Sequence, residues 1–213
     1  IEKWAKPRKR TWEEDARMLS KDVIPHFGKR KAKDIKRRDI VLLIDGIVDR
    51  GSPISANRTL RIIRKMFSFA VKRGVLDASP CVEIDPPAEE NERDRILTEE
   101  EFKRFWFGLD RAKMSEGTRA VLRLLLITAQ RKGELSQAKW SEVDLKSGWW
   151  TVPKEKSKNK RIHRVPLPPI AIDIFKQAKA IAGDSRWVFP SCKDQPITPR
   201  SISRAIRNNS EKK

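Results

Sequence analysis

Two groups of basic residues have the types and spacing needed to act on a phosphate. Arg131 follows the mostly apolar run 121–127 (VLRLLLI) and precedes Glu134 by three residues, and four lysines alternate along 154–160 (KEKSKNK). A guanidinium makes paired, permanently charged contacts to phosphate oxygens, whereas a lysine can lend a proton to a departing oxygen. Cleaving a phosphodiester without a metal requires positive groups around the phosphate, an acid for the leaving oxygen and a nucleophile. These residues therefore indicate chemistry at a phosphate.

The overall charge of the 213-residue chain favours a polyanionic partner. The formal net charge is +19 and the sequence pI is about 10.3. Lys and Arg gain affinity for nucleic acids by releasing counterions condensed on the phosphates. A ribosomal, tRNA-binding or heparin-binding protein could carry the same excess, so charge alone does not select DNA. The 29 acidic residues indicate a folded charged surface and not a polybasic tail.

Several classes of protein are disfavoured by what the sequence contains. Two distant cysteines, Cys81 and Cys192, support neither a disulfide scaffold nor a zinc finger, and they suit a reducing cytoplasm. The apolar runs are too short for a membrane span, and no acidic triad indicates a metal site. We therefore expect a cytoplasmic protein without metal or cofactor. Because the chain begins with Ile1 and not Met, we also expect an N-terminal piece to be missing.

A division of the chain is predicted near residues 84–95 (IDPPAEENERDR). This stretch combines a Pro-Pro pair with dense charge, which is typical of a linker. Thr98 and Glu101, three residues apart, then form the capping box that begins a helix. We predict a helical DNA-binding domain at 1–83, a linker at 84–95 and a second domain at 96–213.

Helical periodicity dominates the first domain. It predicts helices over 11–19, 36–49 and 55–72, with a turn at 24–28 (IPHFG) and a helix stop at Gly74. The last of these helices carries Arg58, Arg61 and Lys65 on its polar side. That side is either a solvated basic face or a surface that contacts phosphates.

The second domain combines helices with a short β-hairpin. Period-2 alternation predicts strands at 149–153 and 161–167, joined by a basic tip. The predicted helices are 99–109, 118–128, a short piece at 134–140, 169–182 and 199–208. The fold class is therefore mainly α with a small β-hairpin or sheet (α+β).

The segment 128–135 (TAQRKGEL), followed by 140–145 (WSEVDL), closely resembles the first-arginine box of the tyrosine recombinases, the phage and genomic-island integrases. The family's pattern is Thr-Gly-x-Arg-x-x-Glu-Leu, and this chain has Ala129 where the pattern has glycine. A positive φ at Ala129 would be strained. The resemblance implies that Arg131 binds the scissile phosphate and that Glu134 supports the site. In isolation, Arg131 would be an ordinary surface arginine at a helix start.

The resemblance also implies that a hairpin lysine before a Val-Pro-Leu strand, here 165–167, donates a proton to the departing 5′ oxygen. Lys156, followed by Ser157, best matches the family signature, and Lys158 is the alternative because hairpin length varies. The other basic residues of this region are expected to contact DNA, and they are Lys160, Arg161 and His163. Lys158 joins them if Lys156 is the proton donor.

The resemblance ends before the rest of the recombinase site. Neither histidine is followed by arginine three positions later, so the family's His-x-x-Arg box cannot be assigned, and the chain contains no tyrosine. Arg200 and Arg204, on the final predicted helix, are expected to contact the DNA backbone. This chain is therefore predicted to bind duplex DNA without cleaving it.

The first domain is similar, more loosely, to the helical core-binding module of phage integrases, at 24–28, 56–58 and 67–74. Together the resemblance implies site-specific recombination, integrating or excising a prophage or genomic island through a 3′-phosphotyrosine. It further implies double-stranded attachment sites as partner and a homotetramer of the full-length protein on DNA, whereas this fragment alone would be monomeric. The alternative is a non-catalytic duplex-DNA-binding protein or a degenerate recombinase relative.

Overall fold

The computed structural model describes residues 1–91 and 94–210, and the chain divides into two compact units, Ile1–Asp94 and Arg95–Lys213. Each unit has a hydrophobic core of its own. Within the described residues, no helix is both long and apolar enough to cross a bilayer.

The first unit is helical, as the periodicity predicted. Its α-helices are α1 Ala5–Arg8, α2 Trp12–Met18, α3 Ile24–Phe27, α4 Arg37–Asp49 and α5 Pro53–Lys72. A π-helical turn, Leu19–Val23, joins α2 to α3, and a 3-10 turn, Ala32–Asp34, precedes α4. The apolar positions predicted for α4 are buried against α5, and they are Ile40, Leu43, Ile44 and Ile47.

The turn predicted at 24–28 is wrong for its first four residues, because Ile24–Phe27 form α3. Pro25 occupies an early position of this helix, directly after the π-helical turn, and its fixed φ is compatible with helical backbone. Phe27 is buried in the core of the first unit. The proline therefore lies within a helical segment and does not interrupt it.

The first half of the predicted linker is bound to the first unit. Ile84 is buried in its core, although the stretch was expected to lack core packing. The side-chain amide of Asn57 donates to the Ala88 carbonyl at 2.7 Å and accepts from the Ala88 N–H at 3.1 Å. Residues 92 and 93 of the predicted linker lie outside the described residues. The domain limits at 83 and 96 stay a prediction.

The second unit surrounds a small sheet with helices, which confirms the predicted fold class. Its helices are α6 Glu99–Arg111, α7 Glu116–Thr128, α8 Lys132–Ser136, α9 Pro169–Ala182 and α10 Pro199–Asn209. Its strands are β1 Val143–Asp144, β2 Trp149–Val152 and β3 His163–Pro166, antiparallel in the order β1-β2-β3. Trp150 pairs with Val165, and both are buried in the core, where α7 packs against α9.

Two details of the second unit differ from expectation. The helical piece predicted at 134–140 is two elements, since α8 ends at Ser136 and a separate 3-10 turn covers Trp140–Glu142. Strand β1 was not predicted, because two residues are too few for an alternation to be recognised.

The capping box at the start of α6 is confirmed. The Thr98 hydroxyl accepts from the Glu101 N–H at 3.2 Å, and the Thr98 N–H donates to the Glu101 carboxylate at 3.0 Å. That backbone hydrogen bond, helped by the nearby Arg95 guanidinium, holds the pKa of Glu101 below its ordinary value.

Candidate active site

The site begins where α7 ends in a left-handed residue. Ala129 has φ +52° and ψ 24°, and its N–H donates to the Leu125 carbonyl at 3.0 Å. This conformation satisfies an otherwise unpaired carbonyl and turns the chain sharply towards α8. A residue with a Cβ is disfavoured there by about 1–2 kcal/mol. Residue 129 thus has the positive φ that the sequence marked as strained for alanine.

Arg131 stands at the N-cap of α8 with its guanidinium facing solvent. Its side chain is 56% exposed, and Nη1 donates to Oε1 of Glu134 at 3.1 Å. The Glu134 side chain is only 5% exposed. A surface cation is therefore held in place by a buried carboxylate, which fixes the direction of the guanidinium while leaving donors available for an anion.

Glu134 has acceptor capacity to spare. Its Oε2 is buried and has no hydrogen-bond partner within residues 1–91 and 94–210. An unsatisfied buried carboxylate oxygen is costly, so groups of this kind are usually paired. A further donor could bind this oxygen without displacing Arg131.

Helix α10 packs against α8. The Lys132 ammonium donates to the Ser203 hydroxyl, and a methyl group added at Gly133 would lie 3.9 Å from Cγ of Pro199. Arg200 and Arg204 are exposed on α10. The structure thus brings the helix that carries the predicted DNA-backbone contacts next to the helix that begins after Arg131.

The tip between β2 and β3 is a structured loop. The N–H groups of Lys156 and Ser157 both donate to the Pro153 carbonyl, at 3.0 and 3.1 Å, and Lys160 has φ +53°. The predicted DNA-contacting residues of this region are all exposed, and they are Lys158, Lys160, Arg161 and His163.

Lys156 differs from its neighbours because it points into the protein. Its side chain is 17% exposed, and Nζ donates to Oε1 of Glu142 and to the Gln137 carbonyl, each at 2.5 Å. The same ammonium lies 5.7 Å from the ring centroid of Trp187. The proton-donor role of Lys156 stays a prediction, and its ammonium is already engaged in this structure.

Glu142 and Gln137 are the partners that sequence reasoning missed. A signal for Glu142 was present, because Glu three residues after Lys139 has the spacing of a helix-capping acid. Glu142 does accept from the Lys139 N–H, at 3.2 Å. The contact to Lys156 spans 14 residues and has no comparable local signature.

The basic residues predicted on α5 belong to the first unit, and two of them have partners there. Arg61 forms an ion pair with Glu90 at 3.1 Å, and the Lys65 ammonium lies 4.7 Å from the ring centroid of Trp4. Arg58 is exposed. Their contact with DNA stays a prediction.

Comparison with known proteins gives the same division of the chain into two parts. Residues 95–213 match the family model described as "Phage integrase family", and residues 1–86 match the one described as "Phage integrase central domain".

Individual relatives are similar over nearly the whole chain. Prophage integrase IntA of Escherichia coli (strain K12) is 26% identical over 215 residues, covering 97% of this chain and 52% of that protein. Prophage integrase IntZ of the same strain is 31% identical over 191 residues, covering 88% and 47%. The chain therefore spans about half the length of these curated relatives.

Solved structures share the fold. A lambda integrase(75-356) dimer bound to a COC' core site aligns with a TM-score of 0.76 at 20% identity, covering 95% of this chain and 73% of that one. The Tn1549 transposon integrase in complex with circular intermediate DNA aligns with a TM-score of 0.69 at 15% identity, covering 94% and 72%. At these identities the likeness concerns the fold.

Proposed function

The chain belongs to the phage integrase family of tyrosine recombinases, and from that premise we propose that the complete protein carries out site-specific recombination of duplex DNA, as in the integration or excision of a prophage or genomic island. The observation that carries this proposal is the Arg131–Glu134 pair, an exposed guanidinium held by a buried carboxylate. No metal or cofactor is required. The net charge of +19 suits a duplex-DNA partner.

The proposed reaction transfers a phosphoryl group from the DNA strand to a tyrosine of the protein and then back to DNA. A tyrosine oxygen attacks the scissile phosphorus, the new P–O bond forms on the 3′ side, and the bond to the 5′ oxygen breaks. The tyrosine gives up its proton, and the 5′ oxygen takes one as it leaves; the reverse reaction rejoins the strand. The sequence contains no tyrosine, so the nucleophile is not among these 213 residues. We expect this fragment alone to bind DNA without forming a covalent adduct.

Arg131 would contact the non-bridging oxygens of the scissile phosphate, with Glu134 as its support. The negative charge on these oxygens changes as the phosphoryl group transfers, and a guanidinium fixed beforehand stabilises that charge without reorganising. Arg200, Arg204 and the exposed side chains of the β2–β3 loop would contribute phosphate contacts along the duplex.

The proton for the 5′ oxygen would come from a lysine of the β2–β3 loop. Lys156 matches the family signature, but using it requires breaking its bonds to Glu142 and to the Gln137 carbonyl. Lys158 is exposed and two residues away, so it could reach DNA without such a rearrangement. The contacts of Lys156 therefore favour Lys158 as the proton donor.

Assembly on DNA is part of the proposal. A lambda integrase tetramer has been solved bound to a Holliday junction, and it aligns with this chain at a TM-score of 0.76. We expect the complete protein to act as a homotetramer on paired sites.

The proposal is tested by Arg131→Ala in the complete protein. Strand cleavage should fall by about a thousandfold, as when a main donor to transition-state charge is removed. DNA affinity should change by about threefold or less, because one phosphate contact among many is lost. Cleavage is measured as covalent protein–DNA adduct on a nicked suicide duplex, and affinity by titration at fixed salt.

Arg204→Ala serves as the matched control, since it removes an exposed arginine on α10. It should weaken binding and reduce the salt dependence while leaving the cleavage rate of bound DNA unchanged. Equal losses of binding and cleavage in Arg131→Ala would make Arg131 a binding residue only. A complete protein that binds duplex DNA but forms no adduct would favour a non-catalytic DNA-binding relative.

A further inference from the structure

The β2–β3 loop, residues 153–162, is bound to the rest of the second unit through the side chain of Lys156. The Lys156 ammonium makes two hydrogen bonds, one to the Glu142 carboxylate and one to the carbonyl of Gln137. It is largely buried, while the neighbouring loop residues Lys158 and Lys160 are exposed. A lysine that only met phosphates would lie outside with them.

The acid that holds Lys156 is itself fixed. Oε2 of Glu142 accepts from the Lys139 N–H at 3.2 Å, and its side chain is 11% exposed. Its two oxygens therefore bind two different segments, the start of the 3-10 turn and the loop. A carboxylate held in this way from a second direction loses little additional freedom when it binds the lysine.

The second acceptor connects the loop to the helix beside Arg131. Gln137 is the C-cap residue of α8, and Arg131 is its N-cap residue. Since α8 is only five residues long, a bond to the Gln137 carbonyl ties the loop to the same short element that presents the guanidinium. The loop and the guanidinium are therefore attached to opposite ends of the same short helix.

The loop conformation agrees with an anchor at this position. Ser157, directly after Lys156, is buried at 5% exposure, and the Lys160 N–H donates to its carbonyl at 3.3 Å. The side chains of Lys156 and Ser157 are therefore turned into the protein, whereas that of the next residue, Lys158, is exposed.

We propose that Lys156 and Glu142 are positioning residues, which hold the β2–β3 loop against the end of α8 so that an exposed lysine of the loop meets the phosphate bound by Arg131. This inference rests on the proposed function for its catalytic part, whereas the anchoring of the loop does not depend on it. In this arrangement the Lys156 ammonium keeps its proton and its partners throughout the reaction.

The anchoring is tested on the 213-residue chain by backbone hydrogen exchange. Lys156→Met keeps the apolar stem and removes the ammonium, and it should speed exchange of the loop amides by about tenfold, the effect of losing one charged hydrogen bond. Glu142→Gln should act in the same direction. Lys158→Met is the matched control and should leave exchange unchanged. No acceleration in either anchor variant would overturn the anchor.

The positioning role is tested in the complete protein with two DNA substrates, one with the normal 5′ oxygen at the scissile position and one with a bridging 5′ sulfur. Sulfur departs without a proton, because a thiol is far more acidic than an alcohol. Lys156→Met should slow cleavage of the oxygen substrate but have little effect on the sulfur substrate, because the lysine that Lys156 positions is needed only for the proton. Lys156→Arg can still bind Glu142 but is too weak an acid to donate the proton, and it should restore most of the rate on the oxygen substrate. Lys158→Met should also be slow only on the oxygen substrate, whereas Lys158→Arg should not restore the rate there.

The outcomes separate the two ideas. If Lys156→Arg stayed as slow as Lys156→Met on the oxygen substrate while Lys158→Met cleaved it at nearly the wild-type rate, Lys156 would be the proton donor and its positioning role would be overturned. No cleavage by the wild-type complete protein would overturn the proposed function and the catalytic part of this inference together. In that case the hydrogen-exchange result would still decide whether Lys156 anchors the loop.

Discussion

The two units hold arginine–carboxylate pairs in opposite ways. In the first unit Arg61 meets Glu90, and the two side chains are 70% and 48% exposed; in the second Arg131 meets Glu134, which is only 5% exposed. A pair in which both groups face water contributes about 0–1 kcal/mol and is readily exchanged for other partners. A buried acid, by contrast, gives its arginine a fixed position. The difference separates a cation on a charged surface from one prepared for a particular anion.

The contrast extends to the rest of the basic helix in the first unit. Lys65 of α5 lies over the Trp4 ring, so it too uses an exposed, replaceable contact. Such residues suit phosphate binding through many weak contacts, whose loss one at a time has small effects. Arg131 has no such redundancy, because its position depends on Glu134 alone among the residues that the structure describes.

Among the changes that test this comparison, the largest effect is expected when the acid of the second unit's pair is removed in the complete protein. Glu134→Ala should slow strand cleavage by about a hundredfold, because a small displacement of a positioned group has consequences of that order. Glu90→Ala should leave the cleavage rate unchanged, since Arg61 is not expected to be at the reacting phosphate. Single-turnover cleavage with saturating protein measures both.

Glu134→Gln controls for loss of side-chain volume and should give a smaller loss, because its carbonyl oxygen can still accept from Arg131. Thermal unfolding of each variant checks that the second unit remains folded. Equal cleavage losses in the Glu134 and Glu90 variants would remove the distinction between the two pairs.

The next effect concerns two asparagines, each of which binds both the backbone N–H and the backbone carbonyl of one other residue. In the first unit, Asn57 is buried and binds both the N–H and the carbonyl of Ala88. In the second, Asn209 is exposed and binds both groups of Lys113, at 2.7 and 3.2 Å. Asn57→Ala should cost about 2 kcal/mol of unfolding free energy, because it leaves polar groups without partners in a partly buried place.

Asn209→Ala should cost about 1 kcal/mol or less, since water replaces the amide at an exposed site. The adjacent, exposed Asn208→Ala is the matched control, with an expected change within about 0.5 kcal/mol. Urea unfolding followed by tryptophan fluorescence gives the three values. If Asn57→Ala cost no more than Asn209→Ala, burial would not be what distinguishes the two contacts.

Local patterns in the sequence predicted most of the helices. The spacing of apolar residues placed α9 at Pro169–Ala182 as observed, and the capping pair Thr98–Glu101 located the start of α6. The turn expected at Pro25 was wrong because proline is compatible with the first helical turn as well as with a break. Sequence alone does not show which of these two a proline will occupy.

The candidate site could be predicted only where its residues are neighbours in the chain. The sequence indicated Arg131 and Glu134 together, since three residues separate them. It favoured Lys156 over Lys158 as the proton donor, because it could not show that Lys156 binds Glu142 and the Gln137 carbonyl. Those contacts join residues 14 and 19 positions apart in the sequence, which periodicity does not encode.

The smallest effect concerns one helix end in each unit, the C-terminal end of α5 and that of α7. In the first unit the residue in the left-handed conformation after α5 is Gly74, with φ +67°, whereas after α7 in the second it is Ala129, with φ +52°. A methyl group at Gly74 would have no atom within 4 Å, so Gly74→Ala isolates the backbone cost. It should lower the free energy of unfolding by about 1 kcal/mol.

Ala129→Gly should raise the free energy of unfolding by about 0.5–1 kcal/mol, somewhat less than the strain removed because glycine also gains freedom in the unfolded chain. Urea unfolding of the two variants compares the reciprocal changes. A gain at 129 that matches the loss at 74 would mean that the turn into α8 is strained only by the alanine Cβ. If Ala129→Gly instead lowered the stability, the methyl group would have to make packing contacts that outweigh the strain, and the position of Arg131 would depend on alanine itself.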